Sequence, residues 1–289
     1  MGYRWLVRGL KIMVTDSFVC RTIRKTYNPK PLTLNLLKTT NNPMACILHI
    51  DTSTDVCSVA VSKDGFLLYE KADHSGPNHA ERLGTYIDEA VGTLEEKGLK
   101  PEAVAVSSGP GSYTGLRIGV SMAKGLCYGS DAKLISVPTL QLLCVPVLLG
   151  DGVRCVTYVD GKKERLETEM EQDALLCPMI DARRMEVFAA VYDRGMKEVR
   201  AMQADIVDGE TYRELLDRGV VYFFGNGAEK CMEAINHPNA RYIIGIEPLA
   251  KNMLPLADMK FHKGETADVA YFVPEYLKDY VAKKPKPVV

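Results

Sequence analysis

The sequence has 289 residues, 46% of them hydrophobic and 25% charged, which is the composition of a folded globular protein large enough for two lobes. No apolar run approaches the roughly 20 residues that a membrane helix needs, so we expect no membrane association. The eight cysteines form neither a CxxC pair nor a disulfide framework. We therefore predict reduced thiols and a cytoplasmic location.

The charge is distributed unevenly along the chain. Residues 1–43 contain eight Lys or Arg and a single acid, Asp16, which leaves 28 basic and 36 acidic residues in the remainder. An acidic body argues against nucleic-acid binding by bulk charge alone. We predict that residues 1–43 are an extension outside the fold and that Met44, just before the first clear strand, is the functional start. A targeting segment is the alternative.

Strands and helices alternate from residue 44 onwards, and we predict a first lobe over residues 44–149. Three strands with a hairpin turn at Asp64-Gly65 come first, and the helix that follows them ends at Gly98. Two strand–helix pairs complete the lobe. The predicted strands are 46–50, 56–62, 66–71, 103–106 and 133–137, and the predicted helices are 78–97, 118–128 and 138–148.

A similar series follows, and we predict a second lobe over residues 150–270. Asp181 ends its main strand as Asp51 ends the first strand of lobe one, so the pattern indicates a duplicated α/β fold with a mixed sheet in each lobe. Residues 161–173 are predicted to be an exposed charged excursion, and residues 271–289 an extended basic tail. The predicted strands are 153–159, 175–181, 185–192, 220–224 and 241–244, and the helices are 210–218, one ending near 236, and 248–262.

The most distinctive stretch is the glycine-rich segment 107–119, between a predicted strand and a helix. Gly111, Gly115, Gly119 and Ala123 recur every four residues and share one helical face. We favour the interpretation that another backbone approaches this face closely, because interior helical glycines otherwise destabilise. A phosphate cradle at the helix N-terminus is the alternative, although no Gly-Lys-Ser/Thr follows. Ser112 or Thr114 is predicted to cap the helix.

Two polar turns are candidate anion or nucleotide sites. Asp51, Thr52 and Ser53 lie where phosphate or Mg²⁺ would bind, but they could equally stabilise their own turn. Arg183 and Arg184 suit phosphate or carboxylate. The alternative is a plain hairpin in which one arginine pairs with an acid such as Glu186, and the sequence does not decide between the two.

His74 and His79, with Asp73 and Glu81 as neighbours, could form a metal site on paper. The spacing of five across a proline turn is poor for a metal, and histidines near a helix start are common. We therefore predict neither a metal nor a cofactor.

Four motifs, at residues 47–53, 108–119, 180–188 and 274–277, together resemble the TsaB (YeaZ) family. Their sequences are ILHIDTS, SGPGSYTGLRIG, IDARRMEVF and PEYL, and the resemblance covers residues 44–277. It implies a two-lobe fold like that of actin, Hsp70 and hexokinase, in which a ribonuclease H-like lobe is duplicated and helices flank each mixed sheet.

The resemblance implies a non-catalytic scaffold that forms a heterodimer with TsaD, the transferase that makes threonylcarbamoyladenosine beside the anticodon of tRNA. The ATPase TsaE joins the assembly, and tRNA is contacted only as part of it. TsaD-type chains carry a His-x-x-x-His metal pair after the fifth strand, whereas residues 136–141 here read SVPTLQ and contain no ligand of that kind. The sequence therefore favours a partner over an enzyme.

The resemblance also implies that helices of lobe one bind TsaD. We expect an exposed apolar patch there, which would pair two copies of this chain when TsaD is absent. The predicted interface residues are Leu83, Ile87, Gly111, Gly115, Leu116, Gly119, Val120, Met122 and Ala123.

An enzymatic alternative stays open, namely an ATP-binding small-molecule kinase or ATPase of the same superfamily. Such an enzyme needs acids that face phosphate and Mg²⁺ across the cleft, and Asp51 and Asp181 are the obvious pair. Gly225-Asn226-Gly227 is a weak candidate for an adenosine motif. A glycoprotease is set aside, because the sequence shows no nucleophile–base or metal constellation.

Overall fold

The computed structural model describes residues 45–76, 78–150, 154–159, 162–166 and 170–277. The predicted extension at 1–43, the basic residues after Leu277 and part of the charged excursion lie outside the described residues. None of the helices within the described ranges is long and apolar enough to cross a membrane. The seven cysteines in these ranges are free and buried.

Lobe one is a five-stranded mixed sheet in the order β3-β2-β1-β4-β5. Strands β1, β4 and β5 run parallel, whereas β2 and β3 run antiparallel to their neighbours. Two long helices cover one face of this sheet around a shared apolar core. The elements are β1 Ile47–Asp51, β2 Cys57–Lys63, β3 Phe66–Asp73, α1 His79–Glu96, β4 Ala103–Gly109, α2 Tyr113–Ser130, β5 Lys133–Pro138 and α3 Thr139–Leu149.

Lobe two repeats this strand order in β10-β9-β8-β11-β12, and the hairpin β6–β7 extends its sheet beyond β12. The duplication that the sequence pattern predicts is therefore confirmed. The elements are β6 Arg154–Val159, β7 Lys162–Leu166, β8 Leu175–Asp181, β9 Glu186–Tyr192, β10 Glu198–Ile206, α4 Arg213–Arg218, β11 Val221–Phe224, a 3₁₀ turn Glu229–Cys231, β12 Ala240–Ile244, a 3₁₀ turn Ala250–Met253 and α5 Leu254–Lys263.

Local turn chemistry explains several element boundaries. Asp64 and Gly65 have φ of 53° and 77°, as a tight hairpin between β2 and β3 requires. Ser112 caps α2, because its hydroxyl accepts a hydrogen bond from the Gly115 amide at 3.3 Å. Asp131 then ends the helix in a left-handed conformation. The predicted hairpin turn and cap are confirmed.

Three predicted features of lobe two are wrong. The charged excursion contains β7, which pairs with β6, and β10 was not predicted at all. The helix expected to end near residue 236 is only a 3₁₀ turn followed by further turns. Cys231, Met232 and Ile235 are all buried there, so core contacts and not helical periodicity fix this segment.

The C-terminal part of the described chain belongs with lobe one, although the sequence division placed residues up to 270 in lobe two. Met253, Leu256 and Ala257 pack into the core on the second face of the lobe-one sheet. The Ala267 amide then donates to the Leu134 carbonyl at 2.8 Å. Helix α3 contributes Leu142 to that core, and its opposite side packs into lobe two.

Candidate functional site

The Asp-Thr-Ser turn after β1 is bonded to the glycine-rich turn before α2. The Thr52 hydroxyl donates to the Gly115 carbonyl at 2.7 Å, and the Ser112 amide donates to the Ser53 carbonyl at 2.7 Å. The Ser112 amide, a donor that a phosphate could use, is thus engaged within the protein. These contacts support turn stabilisation as the role of Thr52 and Ser53.

The glycine stripe faces this turn. A Cβ on Gly111 would overlap the Ser53 carbonyl oxygen, and a Cβ on Gly115 would overlap that of Thr52. A Cβ on Gly119 would overlap the Thr52 hydroxyl. Close backbone packing, the favoured interpretation of the sequence, therefore accounts for the stripe, and the phosphate cradle does not.

Most of the apolar residues that were predicted to form an exposed patch on lobe one are buried. Leu83, Ile87, Leu116 and Val120 are at most 4% exposed. All of them except Leu116 belong to the core under the helices, as does Ala123. Only Met122, which is half-buried, reaches the surface. Helical periodicity identifies an apolar face, but it does not tell whether that face meets the protein's own sheet or a partner.

Asp51 is fully buried and has no cation beside it among the described residues. Its carboxylate accepts hydrogen bonds from the amide and hydroxyl of Ser53 at 3.0 to 3.2 Å. Burial raises the pKa of Asp51 to about 7, against the opposing effect of these hydrogen bonds. An acid sealed in its own turn is poorly placed to hold Mg²⁺ in the cleft.

A cleft of about 790 Å³ separates the two lobes. Lobe one lines it with Ser53 and the start of α2, and lobe two lines it with the turn between β8 and β9. Of the predicted anion-site residues, Ser53, Asp181, Arg183 and Arg184 therefore meet in one cavity, whereas Asp51 and Thr52 lie beneath it.

Asp181 is neutralised within lobe two. Its carboxylate pairs with Lys230, and the same ammonium donates to the carbonyls of Arg184 and Glu186, both at 2.7 Å. Lys230 was not singled out from the sequence, where an isolated lysine on a short turn carries no signal.

Replacing Lys230 with methionine is expected to destabilise the protein by about 1 to 3 kcal/mol. The change removes the Lys230 ammonium from two carbonyls and from the Asp181 carboxylate, so three charge-assisted contacts are lost. Thermal unfolding measures the loss, and Lys163→Met, at an exposed lysine of β7, serves as the control. Equal stability of the two variants would contradict the assigned role.

The turn that contains Arg183 and Arg184 joins β8 and β9 in a hairpin. A hairpin was the second of the two interpretations of this stretch, the first being an anion site. Both residues are exposed and have positive φ, at 71° and 51°. Neither guanidinium forms an ion pair with Glu186 or with any other residue that the structure describes. The paired-acid form of the hairpin is therefore not observed.

The candidate adenosine motif is a packing turn. A Cβ on Gly225, whose φ is 97°, would overlap the Met179 carbonyl oxygen, and one on Gly227 would crowd the backbone between Ile180 and Asp181. The Asn226 side chain accepts a hydrogen bond from the Asp181 amide at 2.9 Å. Together with the buried Asp51, these residues do not fit the nucleotide and Mg²⁺ that the fold class implies.

The two histidines near the start of α1 do not converge. His74 lies 3.1 Å from the Glu247 carboxylate, whereas His79 is buried against the first turn of α2. Within the described ranges, no group of three or more His, Cys, Asp or Glu side chains could hold a metal ion.

The C-terminal segment closes one side of the cleft. The Glu275 amide donates to the Ser108 carbonyl at 2.7 Å, and the Tyr276 ring lies 4.7 Å from that of Tyr113. Gly109, with φ of 114°, permits this approach, because a Cβ there would lie 2.5 Å from the Glu275 carbonyl oxygen. Residues 271–277 of the predicted extended tail are thus held against lobe one.

The outer surface of α1 and α2 carries a feature that sequence reasoning missed. A Cβ on Gly84 or Gly92 of α1, or on Gly125 or Gly129 of α2, would meet nothing within 4 Å among the described residues. The same two helices carry four apolar side chains that are only partly buried against the lobe-one core: Val91, Ile118, Met122 and Leu126. These side chains and the four glycines will together be called the α1–α2 face. The signal was present as helical glycines outside the stripe.

Two lobes that repeat one strand order around a cleft define a protein of the actin, Hsp70 and hexokinase-like class. The family model for TsaD, the tRNA N6-adenosine threonylcarbamoyltransferase, matches residues 73–168. The tRNA threonylcarbamoyladenosine biosynthesis protein TsaB of Escherichia coli K12 is 29% identical over 83% of this chain and 98% of its own length. TsaB of Bacillus subtilis 168 is 25% identical over 80% of this chain and 93% of its own.

The fold has a counterpart among solved structures. A Pseudomonas aeruginosa protein with similarity to peptidase YEAZ superposes with a TM-score of 0.65 at 23% identity, covering 81% of this chain and all of that one. These sequence relatives and this fold counterpart support the TsaB (YeaZ) family for the chain.

Proposed function

We propose that this protein acts in the biosynthesis of threonylcarbamoyladenosine in tRNA, as a non-catalytic scaffold that forms a heterodimer with a TsaD-type transferase. Relatives named for this biosynthesis span most of the chain, which supports the pathway. In this proposal the TsaE ATPase and tRNA join only the assembled complex, in the cytoplasm. The TsaD partner carries the chemistry.

The α1–α2 face is the observation that carries the proposal. Interior glycines lower helix stability, and the four on this face are not explained by packing among the described residues. They let another helix approach closely, and the half-buried Met122 and Leu126 beside them supply apolar contact. An interface of two helices from each partner fits this surface. The same face would pair two copies of this chain when TsaD is absent.

Among the described residues, the groups that an enzymatic interpretation would use are engaged within the protein, which supports a partner role. Asp51 is sealed in its own turn, Asp181 is bound by Lys230, and the Gly225 turn is filled by backbone. Residues 136–141 also lack the His-x-x-x-His pair of TsaD-type chains. In this proposal the chain contributes shape and contact area, and no reacting group.

The test is co-purification and sizing of the full chain with TsaD of the same organism. We expect a stable heterodimer, which Gly125→Leu and Met122→Glu weaken by at least about 30-fold, since each places bulk or charge in the interface. Arg218→Ala, at an exposed arginine of α4 in lobe two, is the control and should bind normally.

A folding check separates interface loss from misfolding. Because a Cβ on Gly125 meets nothing, its leucine variant should keep the circular dichroism and melting behaviour of the wild type. If the wild-type chain does not bind TsaD, or turns over ATP alone in an Asp51-dependent manner, the kinase-like alternative replaces the scaffold proposal.

A further inference from the structure

The turn between β8 and β9 holds two adjacent arginines in a conformation that arginine seldom adopts. Arg183 and Arg184 have φ of 71° and 51°, in the left-handed region that Asn, Asp and Gly enter far more readily. Hairpin turns with two such residues commonly read Asn-Gly. Backbone strain at side chains of this size points to a use for those side chains.

Lys230 fixes the turn from the inner side. Its ammonium donates to the carbonyls of Arg184 and Glu186 and pairs with the Asp181 carboxylate. The Arg183 amide also donates to that carboxylate at 2.9 Å. Lys230 therefore neutralises Asp181, which lies close to the arginines in the sequence. The two guanidinium groups form no ion pair with Asp181.

Arg183 and Arg184 both line the cleft between the lobes. They are exposed and without an ion pair among the described residues, and Ser112, at the start of α2, lines the same cavity. Its volume of about 790 Å³ falls within the usual range of small-molecule sites. Three acidic residues line the cavity too: Asp55, Glu186 and Glu275. Because these acids repel a bound anion, the anion must contact both arginines for the attraction to exceed that repulsion.

We propose that Arg183 and Arg184 bind the oxyanion of a small ligand, a phosphate or a carboxylate group, in this cleft. A guanidinium presents a planar fork of donors that matches either group, and two adjacent forks on a fixed turn can hold one oxyanion between them. The site lies in lobe two, away from the α1–α2 face. The anion site and the pairing with TsaD can therefore be tested independently of each other.

The test is isothermal titration calorimetry of the full chain with inorganic phosphate and with citrate as separate probes. We expect saturable binding of at least one probe, weakened at least about tenfold in the double variant Arg183→Ala/Arg184→Ala. Arg218→Ala removes an exposed arginine that pairs with Glu214 and should leave binding unchanged. Tighter binding of phosphate than of citrate identifies a phosphate ligand, and the reverse a carboxylate.

Arg184→Gly separates ligand binding from a role in the turn alone. Glycine adopts a positive φ without strain, so this variant should melt at a higher temperature than the wild type and yet bind the probe more weakly. The proposal is overturned if neither probe binds the folded wild-type chain saturably, or if the double variant binds as tightly as the wild type.

Discussion

Replacing Gly115 with alanine is expected to destabilise the protein by about 3 kcal/mol or more, even though alanine is the better helix former. The added Cβ would overlap the carbonyl oxygen of Thr52, with the Ser112 Cβ and the His79 ring at 3.2 and 3.3 Å. That oxygen cannot move aside cheaply, because the Thr52 hydroxyl is bonded to the Gly115 carbonyl itself. Urea denaturation at neutral pH measures the change in the free energy of unfolding.

Gly125→Ala provides a matched control on the same helix. Its Cβ meets nothing within 4 Å among the described residues, so the substitution should stabilise the chain by about 0.5 to 1 kcal/mol. The two variants are thus expected to shift stability in opposite directions. Effects of the same sign and size would show that the turn after β1 does not pack on α2 as described.

The contribution of Asp51 to the free energy of unfolding is expected to fall as pH rises from about 4 to about 7, because this carboxyl must ionise while buried. Its folded-state pKa of about 7 lies above the ordinary value of 3.8 that the unfolded chain has. A raised carboxyl pKa contributes stability that is complete below the unfolded pKa and is lost as pH rises through the folded one. The difference corresponds to about 4 kcal/mol between these limits.

Asp51→Asn should remove this pH dependence. We expect the free energy of unfolding of the variant, relative to the wild type, to increase by about 4 kcal/mol between pH 4 and pH 8, because other titrating groups cancel in the comparison. Asp88→Asn changes an exposed carboxylate of α1 and serves as the control. A difference between wild type and Asp51→Asn that stays constant across this range would contradict the burial of an unpaired carboxyl.

Local sequence signals were sufficient for much of the fold. Alternating apolar residues placed ten of the twelve strands of the described ranges within a few residues, and Asp64-Gly65 and Ser112 marked a hairpin turn and a cap through their own backbone preferences. The spacing of Gly111, Gly115 and Gly119 indicated a close backbone approach, since four-residue spacing aligns side chains on one helical face whatever lies opposite.

The candidate site was only partly accessible from the sequence. Arg183 and Arg184 were identified because adjacent arginines are conspicuous, but their left-handed backbone and the contact of Lys230 with the Arg184 carbonyl carry no local sequence signal. The glycines of the α1–α2 face were equally apparent in the amino-acid sequence. The sequence alone did not distinguish them from glycines that pack against the protein's own chain.

The order of elements, the repeat of one lobe pattern and the close packing at the glycine stripe could be predicted from the residues alone, because they depend on short-range periodicity and backbone preference. The three-dimensional arrangement was needed to show that α5 returns to lobe one, that Leu83 and Val120 are core, and that Glu275 lies at the cleft. Each of these features depends on contacts between segments that are far apart in the sequence. Burial of apolar area stabilises such contacts but does not specify which segments meet, because the hydrophobic effect is non-directional.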